Sequence, residues 1–267
     1  MNTAFTRILQ ITDLHLYANH TKRLLNVNTW DSFRAVLLDV KRQCELHPPQ
    51  LIVLTGDLCQ DAALEAYEAL VQEFKLFKCP IAWIAGNHDD LALMKQGLIG
   101  EPLTAEKEFQ FDNWEIVLLN SAWPEHVEGK ITDEALRTLE TRLRQSTAKH
   151  HFLMIHHHLL DLQTTWLDKL KLSNADKLLA VIDQFPTIKV VLSGHVHQFN
   201  EQLRQGVSYL TTPSTGIQFK PHSKQFMPDS QYPGYRWFNL LPDGSFRTEI
   251  RRVKPPEWLP DLKSGGY

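Results

Sequence analysis

The stretch Leu51-Ile52-Val53-Leu54-Thr55-Gly56-Asp57 decides the fold of this chain. It begins with a continuous apolar run, typical of a strand that is buried on both faces of a parallel sheet. Gly56-Asp57 then places a carboxylate directly after the strand. Open α/β sheets bind their ligands beyond the carboxyl ends of the strands. The stretch therefore predicts an α/β fold with a site at the end of this strand.

Four further segments repeat this arrangement of polar side chains after a short apolar run. They are Asp13-Leu14-His15, Gly86-Asn87-His88-Asp89, His156 and Gly194-His195-Val196-His197, and the runs before them are Ile8–Thr12, Ile81–Ala85, Phe152–Ile155 and Ile188–Leu192. Carboxylate, amide and imidazole ligands suit Fe, Mn, Zn or Co better than Cu(I) or Ca²⁺. We therefore predict a two-metal site, in which a shared carboxylate holds two ions about 4 Å apart.

The spacing within the segments suggests how the ligands reach one site. Asp13 and His15 are two residues apart, as are His195 and His197, so each pair shares a face if the chain is extended. The glycine before Asp57, before Asn87 and before His195 removes a Cβ at a point of close approach. Among three consecutive histidines, His156 is favoured because it directly follows the apolar run. His158 is the second choice, and we expect His157 to point elsewhere.

Amphipathic patterns between the strands predict helices over residues 30–46, 64–74, 136–143 and 178–185. After about residue 205 the pattern changes to strands without helices, at Val207–Thr211, Tyr235–Leu241 and Ser245–Arg251. Pro242-Asp243-Gly244 is a typical hairpin turn between the last two. We expect residues 1–267 to form a single domain with a β-rich C-terminal part from about residue 205.

Composition narrows the class of protein. The net charge of −3 and pI of about 6.5 give no electrostatic signature for nucleic acid or an acidic membrane, so we expect a small-molecule substrate. Cys44, Cys59 and Cys79 are scattered and odd in number, which indicates reduced thiols rather than a disulfide framework. Met1–Arg7 does not look like a signal peptide, and we expect a cytoplasmic monomer or homodimer.

These motifs, in this order, resemble the calcineurin-like metallophosphoesterase superfamily over the range Asp13 to His197. The resemblance implies a four-layer α/β/β/α sandwich of two mixed sheets flanked by helices. It also implies two divalent or trivalent transition-metal ions, with iron expected first and Mn, Zn or Co as alternatives. The implied ligands are Asp13, His15 and His197 for one ion and Asn87, His156 and His195 for the other, with Asp57 bridging them.

The same resemblance implies roles toward the substrate. His88 would not be a metal ligand; it would contact the phosphate and protonate the leaving oxygen, with Asp89 or a backbone group orienting it. His88 and Asp89 are therefore the catalytic candidates. The implied substrate-binding residues are His15, Asp57, Asn87, His88 and His197.

A closer resemblance is to the bacterial class III 3′,5′-cyclic AMP phosphodiesterases. It is carried by residues 24–30, 56–61 and 212–221 and by Gly266-Tyr267, with one departure at Leu159, where relatives usually have proline. It implies hydrolysis of cyclic AMP to 5′-AMP, which lowers intracellular cyclic AMP. The alternative is a phosphodiesterase for a glycerophosphodiester, a 2′,3′-cyclic nucleotide or a nucleotide pyrophosphate, because substrate choice resides in loops. A non-catalytic scaffold is disfavoured because the whole ligand set and His88 are present.

Base recognition is open at this stage. Gln218, Phe219 and Lys220 either contact the base or phosphate or belong to a structural loop. Trp30, Trp83, Trp123 and Trp166 are candidates for stacking on a base, with the core as the alternative for each.

Overall fold

The computed structural model describes residues 5–266. The expectations attached to Met1–Ala4 and to Tyr267 lie outside the described residues. The strands, in chain order, are β1 (Thr6–Ile11), β2 (Arg23–Leu24), β3 (Val27–Asn28), β4 (Leu51–Thr55), β5 (Ile81–Ile84), β6 (Leu103–Thr104), β7 (Glu108–Phe111), β8 (Trp114–Leu119), β9 (His150–Ile155), β10 (Ile188–Ser193), β11 (Asn200–Arg204), β12 (Val207–Thr211), β13 (Gln218–Phe219), β14 (Pro228–Asp229), β15 (Gly234–Leu240) and β16 (Phe246–Arg252). The helices are α1 (Thr29–Leu46), α2 (Leu64–Phe74), α3 (Leu91–Gly97), α4 (Asp133–Gln145) and α5 (Ala175–Ile182).

Two six-stranded sheets form the centre of the fold. The first has the order β16-β15-β1-β4-β5-β6, and the second has the order β11-β12-β10-β9-β8-β7. The strands β1, β4, β5 and β6 pair in parallel, as do β12, β10, β9 and β8, whereas β15, β16, β11 and β7 join antiparallel. Both sheets are therefore mixed, and the parallel strands of each sheet direct their carboxyl ends to one edge.

Three apolar clusters separate four layers. Leu9 and Ile52 pack on the outer face of the first sheet against helices α1 and α2. Their neighbours Ile8 and Val53 face the second sheet and meet Phe152 between the sheets. On the far side, helices α4 and α5 cover the second sheet through residues such as Leu139, Leu178, Leu153 and Val191. Successive strand residues thus alternate between the core that lies between the sheets and a core that lies under the helices. The predicted α/β/β/α sandwich is confirmed.

The predicted strands and helices are present with small differences at their ends. Leu51–Thr55 and Val207–Thr211 form strands with the predicted bounds, and the turn at Pro242-Asp243-Gly244 joins β15 to β16. Strands β2, β3, β6, β13 and β14 are absent from the sequence prediction, because two residues are too few to show a period. Helix α3 and strands β7 and β11 were not predicted either. Among residues 5–266, no helix combines the length and apolar character required to cross a membrane.

Candidate metal centre

The loops that follow the parallel strands meet where the two sheets come together. The Asp13 amide donates to Gly56 O over 3.0 Å and the His15 amide donates to Asp57 O over 2.9 Å, which joins the loops after β1 and β4. The His195 amide donates to Asp13 Oδ1 over 3.0 Å and connects the second sheet to the first. These hydrogen bonds, donated by backbone amides, therefore join three of the five predicted segments, those of Asp13, Asp57 and His195.

The first group of candidate ligands consists of Asp13, His15 and His197. The Nε2 atoms of His15 and His197 lie 3.0 Å apart, and His197 Nε2 is 3.5 Å from Asp13 Oδ1. All three side chains are buried. Two imidazole nitrogens and a carboxylate oxygen thus converge on one point, as ligands of a common ion do.

The second group lies on the other side of Asp57. His156 Nε2 is 3.3 Å from Asn87 Oδ1 and 3.4 Å from Asp57 Oδ2. His195 Nε2 is buried and has no hydrogen-bond partner among the described residues. Asp57 Oδ2 is also 3.8 Å from His15 Nε2, so this carboxylate stands between the two groups.

The outer nitrogen of three candidate ligands is held by an oxygen acceptor. His156 Nδ1 is 2.7 Å from Thr55 O and His197 Nδ1 is 2.8 Å from Ile217 O. His15 Nδ1 is 2.6 Å from Gln60 Oε1. Because these oxygens accept a hydrogen bond, each Nδ1 carries a hydrogen, and Nε2 faces the cluster and can bind a metal in its deprotonated form, which is the usual arrangement for a metal ligand.

The charge of the cluster also fits metal ions. Asp13 and Asp57 are buried, and among the described residues no lysine or arginine forms an ion pair with either of them. Burial raises the pKa of Asp57, but His156 and His88 more than offset that effect and hold the pKa well below its usual range. Isolated buried charges are costly, so buried carboxylates normally pair or coordinate metals. The donor set and its charge therefore fit two cations.

The backbone geometry differs from the extended form that the sequence suggested. Asp13, His15, His195 and His197 have φ values of 54°, 48°, 68° and 49°, and Asp57 has 51°. These are left-handed conformations, so the extended-chain reason for the i, i+2 pairing is wrong. Asp13 and His15 nevertheless lie in one group of donors, whereas His195 and His197 lie in different groups. Strained left-handed backbone concentrates at functional sites, where the surrounding fold holds it in place.

Two glycines allow the loops to approach the carboxylates closely. A Cβ on Gly86 would overlap Asp57 Oδ1, and a Cβ on Gly194 would lie 2.8 Å from Asp13 Oδ2. The close approach predicted at these glycines is therefore an approach of the backbone to the Asp57 and Asp13 carboxylates.

His157, His158 and Cys59 are less suited to hold an ion than the two groups of donors described above. His157 lies near His156 and His195, but its two ring nitrogens are hydrogen bonded to Ser121 Oγ and Val127 O. His158 is buried, and none of the metal-sized groups found among residues 5–266 includes it or Cys59. The Cys59 thiol instead donates to Asp61 Oδ1 over 3.2 Å.

His88 is partly accessible beside this cluster, whereas the Asp89 carboxylate is hydrogen bonded to the loops around it. The His88 ring is only part-buried and lies 5.0 Å from the His15 ring, and its amide donates to Asp57 Oδ1 over 2.9 Å. The Asp89 carboxylate accepts hydrogen bonds from the amides of Leu58, Cys59 and Gly86 and from the Tyr67 hydroxyl. Asp89 thus ties the loop of Asp57 to the loop of His88.

The structure places the open candidates for base recognition in different surroundings. Gln218 is buried and donates to Ser214 O and Gly216 O, and the Phe219 ring stacks on His197 at 4.2 Å. Trp30 and Trp83 are core residues, and Trp166 packs against Phe219. Lys220 is exposed. Of the four tryptophans, Trp123 alone lines the cavity that contains His88.

Gln60 offers a direct test of how the ligands are held. We expect Gln60→Ala to weaken binding of a divalent ion about 10- to 100-fold, because His15 loses the acceptor that fixes its ring and tautomer. Gln60→Glu should retain affinity, since it keeps the acceptor. Competition with a chelator measures the dissociation constant, and the exposed Gln184→Ala is the matched control. Wild-type affinity in Gln60→Ala would contradict this role.

The pH dependence of metal affinity follows from His156. Burial lowers its pKa, but Asp57 more than offsets burial and raises the pKa to about 9. A metal ion that takes His156 Nε2 must displace this proton, so affinity should rise with pH up to that value, by about tenfold per unit for one proton. Binding isotherms at several pH values, with chelator constants corrected for pH, measure the slope. A flat dependence would argue against His156 as a ligand.

Residues 6–199 match the calcineurin-like phosphoesterase family. The chain is 39% identical to the 3′,5′-cyclic adenosine monophosphate phosphodiesterase CpdA of Escherichia coli strain K12, over 99% of this chain and 96% of that protein. It is 36% identical to the CpdA of Haemophilus influenzae over 98% and 95%, and 37% identical to a 3′,5′-cyclic-nucleotide phosphodiesterase of Nostoc over 92% of each.

Solved structures show the same fold at lower identity. A dimetal phosphatase from Danio rerio superposes with a TM-score of 0.64 at 17% identity, over 93% of this chain and 99% of that one. GAP50 of Plasmodium gives a TM-score of 0.66 at 15% identity, over 96% and 87%. From the family match and the near-full-length relatives together, the chain belongs to the calcineurin-like phosphoesterase family.

Proposed function

We propose that this chain is a metal-dependent phosphodiesterase that hydrolyses 3′,5′-cyclic AMP to 5′-AMP. The observation that supports cyclic AMP as the substrate is the 39% identity to a cyclic AMP phosphodiesterase, over 99% of this chain and 96% of that protein. A match of this extent includes the loops around the site as well as the metal-holding segments, and substrate choice resides in such loops.

The proposed ligand set follows the two groups of donors, in which every side chain except the part-buried Asn87 is buried. Asp13, His15 and His197 hold one ion, Asn87, His156 and His195 hold the other, and Asp57 contacts both. Iron is our first choice of metal, with Mn, Zn or Co as alternatives. When bound, the ions would neutralise phosphoryl charge and supply hydroxide at neutral pH.

His88 is the proposed general acid. It is part-buried and lines a cavity, whereas His15, His156, His195 and His197 are buried behind it, so its ring can meet the substrate. Attack of hydroxide forms a new phosphorus–oxygen bond in 5′-AMP and breaks the bond from phosphorus to the ribose 3′ oxygen, and His88 gives a proton to that oxygen as it leaves. Asn87 and the inner faces of His15, Asp57 and His197 complete the surface that receives the phosphate.

Asp89 is proposed to position His88 through the backbone. Its carboxylate accepts the Gly86 amide over 2.9 Å and the Leu58 amide over 3.0 Å. It thereby fixes the segment on which Asn87 and His88 stand against the loop of Asp57.

The cellular setting is part of the proposal. We propose a cytoplasmic enzyme, monomeric or homodimeric, whose activity lowers intracellular cyclic AMP and whose partner is the small-molecule substrate rather than nucleic acid or a membrane.

A substrate panel tests the proposal. Metal-loaded protein would be assayed with 3′,5′-cyclic AMP, cyclic GMP, 2′,3′-cyclic AMP, glycerophosphocholine and a dinucleoside pyrophosphate, with a chelated sample as control. We expect metal-dependent release of 5′-AMP, with a higher kcat/KM for 3′,5′-cyclic AMP than for the diesters that are not 3′,5′-cyclic nucleotides. A higher kcat/KM for glycerophosphocholine, the 2′,3′ isomer or the pyrophosphate would transfer the assignment to that alternative substrate.

A further inference from the structure

A cavity of about 540 Å³ opens beside Asn87 and His88, at the accessible side of the proposed metal site. One wall is the segment from Gly86 to Ala92, and the opposite wall is formed by Asn120 and residues 122–125. We refer to this space as the side cavity. Its volume is within the range of about 300–1,000 Å³ that small-molecule sites occupy. Because His88 lines it, a group attached to the leaving oxygen would enter it.

The negative charge of the side cavity disfavours any phosphate group of a substrate other than the one that is hydrolysed. The carboxylate residues that line it are Asp89, Asp90 and Glu125, and no lysine or arginine is among its described lining residues. Like charges repel strongly where water is partly excluded, so a polyanionic group would be disfavoured there. An uncharged group that carries hydroxyl and amine donors would suit these acceptors. The ribose and base of a cyclic nucleotide have this character.

Trp123 gives the side cavity a fixed aromatic wall. The His126 ring stacks on the indole at 3.4 Å between centroids, and the Lys130 ammonium is 4.4 Å from the ring centroid. These contacts hold the indole in place before any ligand arrives, which reduces the entropy lost on binding. His126 covers one face of the indole, so a planar base would contact the part of the ring that lines the side cavity, with little dependence on which base it is.

Asn120 supplies a polar group next to Trp123. Its Oδ1 accepts the Ala122 amide over 3.1 Å, which orients the side chain and leaves Nδ2 to donate. A base presents ring nitrogens that accept such a donor. On the other wall, Asp90 caps helix α3 by accepting the amides of Ala92 and Leu93 through Oδ1.

We propose that the side cavity binds the ribose and base of the substrate, with Trp123 as the aromatic contact to the base and Asn120 as a polar contact. The assignment rests on the proposed function, since it concerns the nucleoside portion of that substrate. It makes Trp123 a specificity-determining residue, which distinguishes nucleotide diesters from diesters that lack a base.

The test compares a substrate with a base and one without. For wild type and Trp123→Ala, kcat/KM would be measured with 3′,5′-cyclic AMP and with ribose 3′,5′-cyclic phosphate, which has the same diester and no aromatic group. We expect the ratio of the two values to fall about tenfold in Trp123→Ala, through a higher KM for cyclic AMP. Trp123→Phe should recover most of the ratio. Trp258→Ala is the matched control, because that tryptophan is also half-buried but packs near Tyr232.

A binding measurement supplies a second readout that does not depend on turnover. Calorimetry of wild type with 5′-AMP and with ribose 5-phosphate gives the contribution of the base to affinity. We expect the tighter binding of 5′-AMP to be lost in Trp123→Ala and in Ala122→Leu, which narrows the side cavity and keeps the protein testable if Trp123→Ala does not fold. An unchanged ratio of the two dissociation constants in a folded variant would overturn the proposal.

The kinetic and the binding measurements together distinguish failure of this inference from failure of the proposed function. If wild type does not cleave cyclic AMP and yet 5′-AMP binds through Trp123, the proposed function fails and the side cavity remains a nucleoside site. If cyclic AMP is cleaved and neither ratio depends on Trp123 or Ala122, the proposed function stands and this inference fails.

Discussion

Asp57→Ala is expected to lose both metal ions and nearly all turnover. The Asp57 carboxylate lies 3.4 Å from His156 Nε2 and 3.8 Å from His15 Nε2, so it stands between the two groups of donors. Its other oxygen accepts the His88 amide. Removal of this one side chain takes negative charge from both proposed metal positions and the hydrogen bond from the segment of the general acid. Loss of about 4 kcal/mol of transition-state stabilisation corresponds to about 10³-fold in rate.

The Asp57 prediction is checked by elemental analysis and by thermal unfolding. Wild type should hold two ions per chain and unfold at a higher temperature when metal is added, because a ligand that binds only the folded state stabilises it. Asp57→Ala should show neither effect. The exposed carboxylate of Asp161 provides the control variant Asp161→Ala, which should keep metal and activity. A fully metal-loaded, active Asp57→Ala protein would refute the bridging position.

His88→Ala is expected to keep its metal and lose most of its turnover of cyclic AMP. The ring is part-buried and is proposed to act on the leaving oxygen, whereas the proposed ligand positions are filled by other side chains. Proton donation by a positioned side chain contributes about 10²- to 10⁴-fold. The ribose 3′ oxygen is a poor leaving group and requires that proton. The fall in kcat should therefore reach this range.

The choice of leaving group makes the His88 prediction specific. A p-nitrophenolate leaves without a proton, so His88→Ala should lose much less activity toward p-nitrophenyl esters than toward cyclic AMP. His47→Ala is the control, because His47 is an exposed residue at the end of helix α1. Loss of metal from His88→Ala, or an equal loss of rate with both leaving groups, would contradict the role of general acid.

The sequence was sufficient to predict the sheets and the place of the site. A buried strand such as Leu51–Thr55 has a strong local signal, and the polar residue that follows it must lie at the carboxyl edge of a parallel sheet. Asp57, Asn87, His156 and His195 could therefore be assigned to one edge from their positions after strands. The continuous apolar run Leu51–Thr55 likewise predicts a strand covered on both faces.

Other features depend on contacts between distant residues and left no local signal. The left-handed backbone at Asp13 and His15 is imposed by hydrogen bonds to the loop of Asp57, which lies more than forty residues away. The contact between Gln60 and His15 likewise joins residues that are far apart in the sequence. The function of residues 212–221 was left open because Phe219 could be assigned only once its ring was found on His197.

We propose that two metal ions make the chain a cyclic AMP phosphodiesterase, and that the side chains that hold them are Asp13, His15, Asp57, Asn87, His156, His195 and His197. The most direct measurement is the rate of 5′-AMP release from 3′,5′-cyclic AMP while metal-free protein is titrated with iron or manganese. We expect no release without metal, a rise with each addition and a plateau at two ions per chain. Full activity in the metal-free protein, or a plateau with no ions bound, would contradict the account.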